Sequence, residues 1–251
     1  MDADLTFALE LADMADAMTL PAFRSRSFDV ETKADLTPVT DVDRAVERSL
    51  RERIGRERPG DVVVGEEYGS AEGDVRWIVD PIDGTNNFIR GIPVYGTLIA
   101  LERGGDLVVG VASAPALGRR WWAARGQGAF VDGRSIHVSN VTRLGEAQLC
   151  FGGINGWRRE GKLDAFLHLA GRCKRTRGLG DFWMHMLAAE GAADVAVEPD
   201  VSLWDLAAVQ VIVEEAGGRF TNLAGEARAD GGSAVSTNGL LHDEVLKVLS
   251  D

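Results

Sequence analysis

Cysteine is scarce, with only Cys150 and Cys173 in 251 residues. Two lone thiols do not make a disulfide framework; they fit a reducing compartment and a packing role. Positive charge is also short: 27 Lys plus Arg face 39 Asp plus Glu, for a net charge of -12 and no basic run. That balance opposes any generic attraction to nucleic acid or to an anionic membrane. No apolar stretch reaches membrane-spanning length. The start, Met1-Asp2-Ala3-Asp4, lacks the cationic and apolar regions of a signal peptide, so a cytoplasmic location is expected. The four histidines, His137, His168, His185 and His242, lie apart without paired metal-ligand spacing, and no nucleophilic Ser or Cys motif is evident. Repeats, low-complexity tracts and flexible linkers are missing too. What remains, 45% hydrophobic and 26% charged, describes an ordinary globular chain rather than a disordered one.

Apolar periodicity predicts an amphipathic helix over residues 5–24, with Pro21 kinking or ending it. A second helix is predicted through about residue 58, capped by Thr40, with Val42, Ala45, Val46, Leu50 and Ile54 inward. Residues 62–64 and 76–79 read as short buried strands. A meander of antiparallel strands follows at 97–102, 107–113, 120–124 and 129–138, in which Trp121 and Trp122 read as packing. From residue 144 the texture changes. Strands at 148–151, 173–177, 194–198, 218–221 and 234–236 alternate with helices at 160–171, 182–191, 203–216 and 243–249, as in an α/β layer. The boundary falls near Val141, between an α+β part (1–141) and an α/β part (142–251).

Three acidic stations stand where strands stop or a helix starts. Val62-Val63-Val64 runs into Gly65-Glu66-Glu67. Trp77-Ile78-Val79 runs into Asp80-Pro81-Ile82-Asp83-Gly84-Thr85, where Pro81 is expected to stop the strand and Gly84 to allow a tight turn. Two acids three residues apart converge if the chain turns between them, and with a carbonyl such as that of Ile82 they form the oxygen set that a hard cation takes. Gly84 and Thr85 would offer free N–H groups to a phosphate. By itself the stretch also fits an acid-rich turn. Trp204-Asp205, the third station, taken alone fits an acid near a helix start.

Together, Gly65-Glu66-Glu67, the run 77–88 (Trp-Ile-Val-Asp-Pro-Ile-Asp-Gly-Thr-Asn-Asn-Phe) and Trp204-Asp205 with Ala216-Gly217-Gly218 resemble the inositol monophosphatase family of Mg²⁺-dependent phosphatases. The resemblance spans Lys33 to Gly218. It implies the family's layered αβαβα fold, usually homodimeric, with two or three Mg²⁺ ions per site. It makes Glu66, Asp80 and the carbonyl of Ile82 ligands of one ion, and Asp80, Asp83 and Asp205 ligands of another. Thr85 and Asp41 match the pair that orients and deprotonates the attacking water, with Glu66 beside them. Glu67 matches an acid standing behind the ligands, and Lys33 a basic residue near the site. Elementary chemistry agrees: without cations these carboxylates would repel one another and a phosphate alike.

The ester is read from residues 177–194. After Gly180, where inositol-type members carry small residues, stands Asp181-Phe182-Trp183, which resembles the branch acting on histidinol phosphate. Asp181 would pair with a substrate ammonium or imidazole, Trp183 would flank a planar cation, and Glu198, Asn238 and Asp83 would touch the substrate. Arg90 stands where many relatives have His. The expected reaction is hydrolysis of L-histidinol phosphate to L-histidinol and phosphate. An inositol 1-phosphate or broad sugar-phosphate phosphatase is the alternative on the same machinery, and a non-catalytic Mg²⁺ or phosphate-binding protein is the alternative of another class.

Overall fold

The computed structural model describes residues 3–34, 36–69 and 72–250, so Met1 and Asp2 of the acidic start lie outside the described residues. The chain opens with α1 (Ala3–Ser25), an antiparallel ribbon of β1 (Val30–Thr32) and β2 (Pro38–Thr40), and α2 (Asp41–Glu57). It then forms a sheet from β3 (Val62–Gly65), β4 (Val75–Asp83), β5 (Gly96–Arg103), β6 (Asp106–Ala114), β7 (Arg119–Ala124), β8 (Ala129–Val131) and β9 (Arg134–Ile136), with α3 (Thr85–Arg90) between β4 and β5. These seven strands are ordered as in the sequence; β3 and β4 are parallel and the rest antiparallel.

The second part adds β10 (Gln148–Phe151), α4 (Ile154–Arg159), α5 (Leu163–Arg172), β11 (Arg175–Gly178), α6 (Asp181–Ala189), β12 (Val195–Glu198), α7 (Leu203–Glu215), β13 (Arg219–Thr221), β14 (Ala234–Thr237) and α8 (His242–Ser250). Its sheet has the order β11-β10-β12-β14-β13. The expected boundary near Val141 lies in the connection between β9 and β10.

Alternation along the strands builds the layers. Trp77 and Val79 of β4 face α1 and α2 in one core, while Ile78 between them faces α6 and α7 in another. The far side of α6 meets Cys150 and Ala196 of the five-stranded sheet, whose other face is covered by α4, α5 and α8. The result is the expected αβαβα stack. Residues 206–213 of α7 are buried all round, as a helix between two sheets must be. β6 lets this helix come close: a Cβ on Gly110 would lie 2.5 Å from the carbonyl oxygen of Ala208. No helix of the described residues is long and apolar enough to cross a membrane.

Four local expectations need correction. Pro21 does not end α1, which runs to Ser25, with Phe23 anchored on Tyr95 and Phe88 at ring distances of 4.9 and 5.7 Å. Residues 129–138 are not one strand but the hairpin β8–β9, turning at Asp132 and Gly133 with φ 49° and 81°, the Asp-Gly pair a tight hairpin favours. The helix expected over 160–171 starts later, as α5 at Leu163, and a separate short helix, α4, precedes it, with Gly161 at φ 66° between them. Nor does Pro81 stop β4, which continues to Asp83 through a bulge: Asp80 pairs with Leu98, but Asp83 pairs with Gly96.

Candidate active site

The bulge in β4 aims two carboxylates at one place. Asp80 Oδ1 accepts the N–H of Ile82 at 2.9 Å, and the Thr97 hydroxyl donates to the carbonyl of Pro81 at 2.8 Å, fixing the irregular turn. Gly84 follows with φ 82°, a left-handed conformation that redirects the chain into α3. From the other half, Asp205 arrives at the first turn of α7, where one oxygen accepts the N–H of Ser202 at 2.7 Å. Ligand oxygens of Asp80, Asp83 and Asp205 lie within 4.8 Å of one another, although Asp80 is only 1% and Asp83 only 8% exposed.

Burial and mutual repulsion leave these acids reluctant to ionise. Asp80 is pushed well above the usual carboxylate range by burial, then by Glu66, Asp83 and Asp205. Asp83 is raised likewise by burial, Asp181 and Asp205, even though its Oδ2 accepts the Phe182 N–H at 2.6 Å. Burial also lifts Asp205 to about 6. An oxygen donor set gathered at such cost fits a hard divalent cation. Glu66 and Glu67 extend the acidic wall, and Lys33 bridges them at 2.7 and 2.5 Å.

These groups open on a cavity of about 160 Å³ lined by Thr37, Pro38, Glu66, Asp80, Ile82, Asp83, Gly84, Thr85, Asn86, Asp181 and Asp205. Asp181 enters from the first residue of α6 with φ 50°, and its Oδ2 accepts from Asn87 Nδ2 at 2.7 Å. Burial raises it to about 6. A Cβ on Gly84 would lie 3.3 Å from Asp181 Oδ2, so the specificity candidate and the phosphate-binding candidate are neighbours.

Several sequence assignments move. Asp41 is exposed at the first position of α2 and accepts the N–H of Asp29 at 2.9 Å, away from Thr85. The partner of Thr85 is Asp43: the Thr85 hydroxyl donates to Asp43 Oδ1 at 3.3 Å and to the carbonyl of Ile82 at 3.0 Å. Asp43 is fully buried, and burial holds it at about 6 while Thr40 donates to its other oxygen from both backbone and hydroxyl. The Thr40-x-x-Asp43 spacing of a capping box was the available signal, because it turns the third helical side chain back toward the cap.

Asn238 does not face the cavity. Its Nδ2 donates to Ser139 Oγ and the Val141 carbonyl at 3.0 and 2.8 Å, and its Oδ1 accepts from the N–H of Leu241, so the amide ties its turn to the connection between β9 and β10. Trp183 is half-buried against the core between the sheets and is not a lining residue. Glu198 lies behind the wall, close enough to raise Asp83, and is itself raised by burial, Asp181 and Asp205. Gly152 makes room for it, since a Cβ there would lie 2.3 Å from Glu198 Oε1. Unforeseen in the sequence, His185 stands beside it. His185 is fully buried, held neutral by burial at about 3, bonded through Nδ1 to Ser236 Oγ at 2.8 Å and 3.7 Å from Glu198.

The raised acids predict an inverted stability profile. A carboxyl whose folded pKa exceeds its unfolded one gives stability that is lost as pH rises through the folded value. His185 and His242, depressed by burial, act oppositely but only below the ordinary histidine value of 6.5. Between pH 6.5 and the raised values of Asp80, Asp83 and Glu198 the acids therefore dominate, and the metal-free protein melts at progressively lower temperature. Added divalent metal stabilises it most at the upper end. Melting curves with and without chelator test this; a metal-free protein that gains stability across the interval would refute it.

The inositol monophosphatase family model matches residues 1–251. A histidinol-phosphatase of Mycobacterium tuberculosis is 55% identical over 98% of each chain. One from Streptomyces coelicolor is 50% identical over 98% of this chain and 97% of its own. Among solved structures, the inositol monophosphatase of Thermotoga maritima superposes with a TM-score of 0.91 at 32% identity, covering 99% of this chain and 97% of that one.

Proposed function

The chain belongs to the inositol monophosphatase family and is a phosphoric monoester hydrolase, and from that premise we propose that it converts L-histidinol phosphate and water to L-histidinol and inorganic phosphate. The observation that carries the choice of ester is Asp181. Its carboxylate lines the same cavity as the acidic cluster and lies against Gly84, where a cationic alcohol would extend from a bound phosphate. The histidinol-phosphatase names of the full-length relatives support the same reading.

Glu66, Asp80, Asp83, Asp205 and the carbonyl of Ile82 would hold the ions, with Mg²⁺ the metal we infer from the all-oxygen donor set. When bound, such ions neutralise phosphate charge, acidify water and stabilise a leaving alkoxide. The Thr85 hydroxyl orients the attacking water, and the proton it gives up passes toward Asp43 Oδ1. The N–H groups of Gly84 and Thr85 hold phosphate oxygens. Glu67 and Lys33 fix the position of Glu66. A homodimeric assembly and a cytoplasmic setting belong to the same proposal, the second supported by the scarcity of cysteine.

Phosphate release from histidinol phosphate, inositol 1-phosphate and fructose 1,6-bisphosphate tests the substrate. The expected kcat/KM preference for histidinol phosphate is roughly a hundredfold or more, as for a site built to pair a specific polar group. Asp181→Asn should erase about one to two decades of that preference, the scale of a hydrogen bond to a charged group, while sparing the other esters. Faster turnover of inositol 1-phosphate, or an equal loss on all esters, would overturn the assignment.

A further inference from the structure

Glu47 of α2 is fully buried, and it does not belong to the carboxylate cluster of Asp80, Asp83 and Asp205. Its carboxylate instead binds the backbone of the acidic loop after β3. Oε2 accepts the N–H of Glu67 at 2.7 Å, and Oε1 accepts the N–H of Tyr68 at 3.2 Å and Nε of Arg51 at 2.7 Å. One turn along the helix, Arg51 donates to the carbonyls of Val63 at 3.2 Å and Gly69 at 2.6 Å. The loop is closed by the Gly65 N–H on the Gly69 carbonyl at 3.1 Å. An acid and a base four residues apart on α2 thus hold both ends of residues 63–69, and Glu66 is left as the side chain that reaches the cavity. The space is shared to the atom: a Cβ on Gly65 would lie 2.2 Å from Glu47 Oε1.

We propose that Glu47 is a positioning residue for metal binding, setting the backbone from which Glu66 reaches the acidic cage. The proposal rests on the reading of Glu66 as a ligand. A buried carboxylate suits the task because it presents only acceptors to two N–H groups and a guanidinium. A glutamine would turn an NH₂ toward at least one of those donors. Supporting groups of this kind are worth about 10- to 100-fold in metal affinity.

The test is calorimetric titration of Mg²⁺ into the intact protein, with melting temperature measured in parallel. Three variants are compared: Glu47→Gln, Gly65→Ala, which keeps the carboxylate but displaces it, and Glu66→Gln. The expected result is a Kd raised about tenfold in each. The half-saturating Mg²⁺ concentration for turnover should rise in step. Should Glu47→Gln fail to fold, Gly65→Ala carries the test. A shift in Glu66→Gln alone, with the other two lowering only the melting temperature, would reduce Glu47 to a structural residue and overturn the proposal. An unchanged Kd in Glu66→Gln would instead overturn the ligand reading. Glu47→Gln and Gly65→Ala shifting in that case would show the loop acting through another group.

Discussion

Asp83→Asn is expected to abolish turnover while leaving the fold in place. The asparagine keeps an oxygen for the Phe182 N–H, which now bonds Asp83 Oδ2 at 2.6 Å, so the junction of β4 with α6 survives. What disappears is the negative charge and one of the two oxygens that Asp83 brings to the candidate cage with Asp80 and Asp205. Metal assistance contributes several kcal/mol to phosphoryl transfer, so the expected loss in kcat is roughly three orders of magnitude or more. Stability should move the other way in the absence of metal. Asp83 is raised by burial and by Asp181 and Asp205, so removing its charge relieves repulsion. The metal-free variant therefore melts above the metal-free parent at neutral pH, and added Mg²⁺ no longer raises its melting temperature. Turnover within tenfold of the parent would remove Asp83 from the cage.

Asp43→Asn and Asp41→Asn, two residues apart on one helix, are expected to differ by orders of magnitude. Asp43 is buried, receives Thr40 on one oxygen and faces the Thr85 hydroxyl with the other. In the proposed mechanism its loss removes the acceptor for the proton leaving the attacking water, a general-base contribution of roughly 10² to 10⁴ in rate. Because Asp43 is outside the metal cluster, Mg²⁺ affinity should change little, so the defect appears in kcat. Asp41 is exposed, and its carboxylate accepts the backbone N–H of Asp29. Its replacement should leave kcat/KM within about twofold, as surface changes usually do. Comparable kcat losses in the two variants, or a defect in Asp41→Asn alone, would reverse the assignment of the base.

The layered fold came from the family resemblance, while its separate elements were legible because burial writes itself in residue periods. Trp77 and Val79 against Ile78 announce a strand with two covered faces, and the apolar run 206–213 announces a helix with no solvent side. Metal candidates were legible because Asp80, Ile82 and Asp83 surround the Pro81 irregularity near the end of β4, and Asp205 stands in the first turn of α7. The proposed base was missed although a signal was there: Asp41 stands next to Thr40 in the chain, but the capping-box spacing Thr40-x-x-Asp43 is what turns a carboxylate back toward the cap and Thr85. Asn238 misled for a different reason: an amide after a strand is as useful for joining segments as for touching a ligand, and here its side chain ties its own turn at Leu241 to Ser139 and Val141. His185 and Glu47 were invisible because each acts through a partner distant in sequence, Ser236 for the first and the Glu67 backbone for the second.

The placement of α6 and α7 between the sheets has a consequence for how the molecule comes into being on the ribosome. Ile78, Leu98, Ala100, Ala112 and Trp121 of the first-made sheet are covered by Phe182, Leu206 and Val209 of these two helices, which are translated after all seven strands. Until then that sheet face is bare, a wide apolar surface of the sort that recruits holding chaperones or clumps with its neighbours. Cations cannot shorten the wait, because Asp205 emerges with the same late segment that brings the missing cover. A nascent chain stalled near residue 141 would therefore be a hazard to the cell rather than a smaller working part.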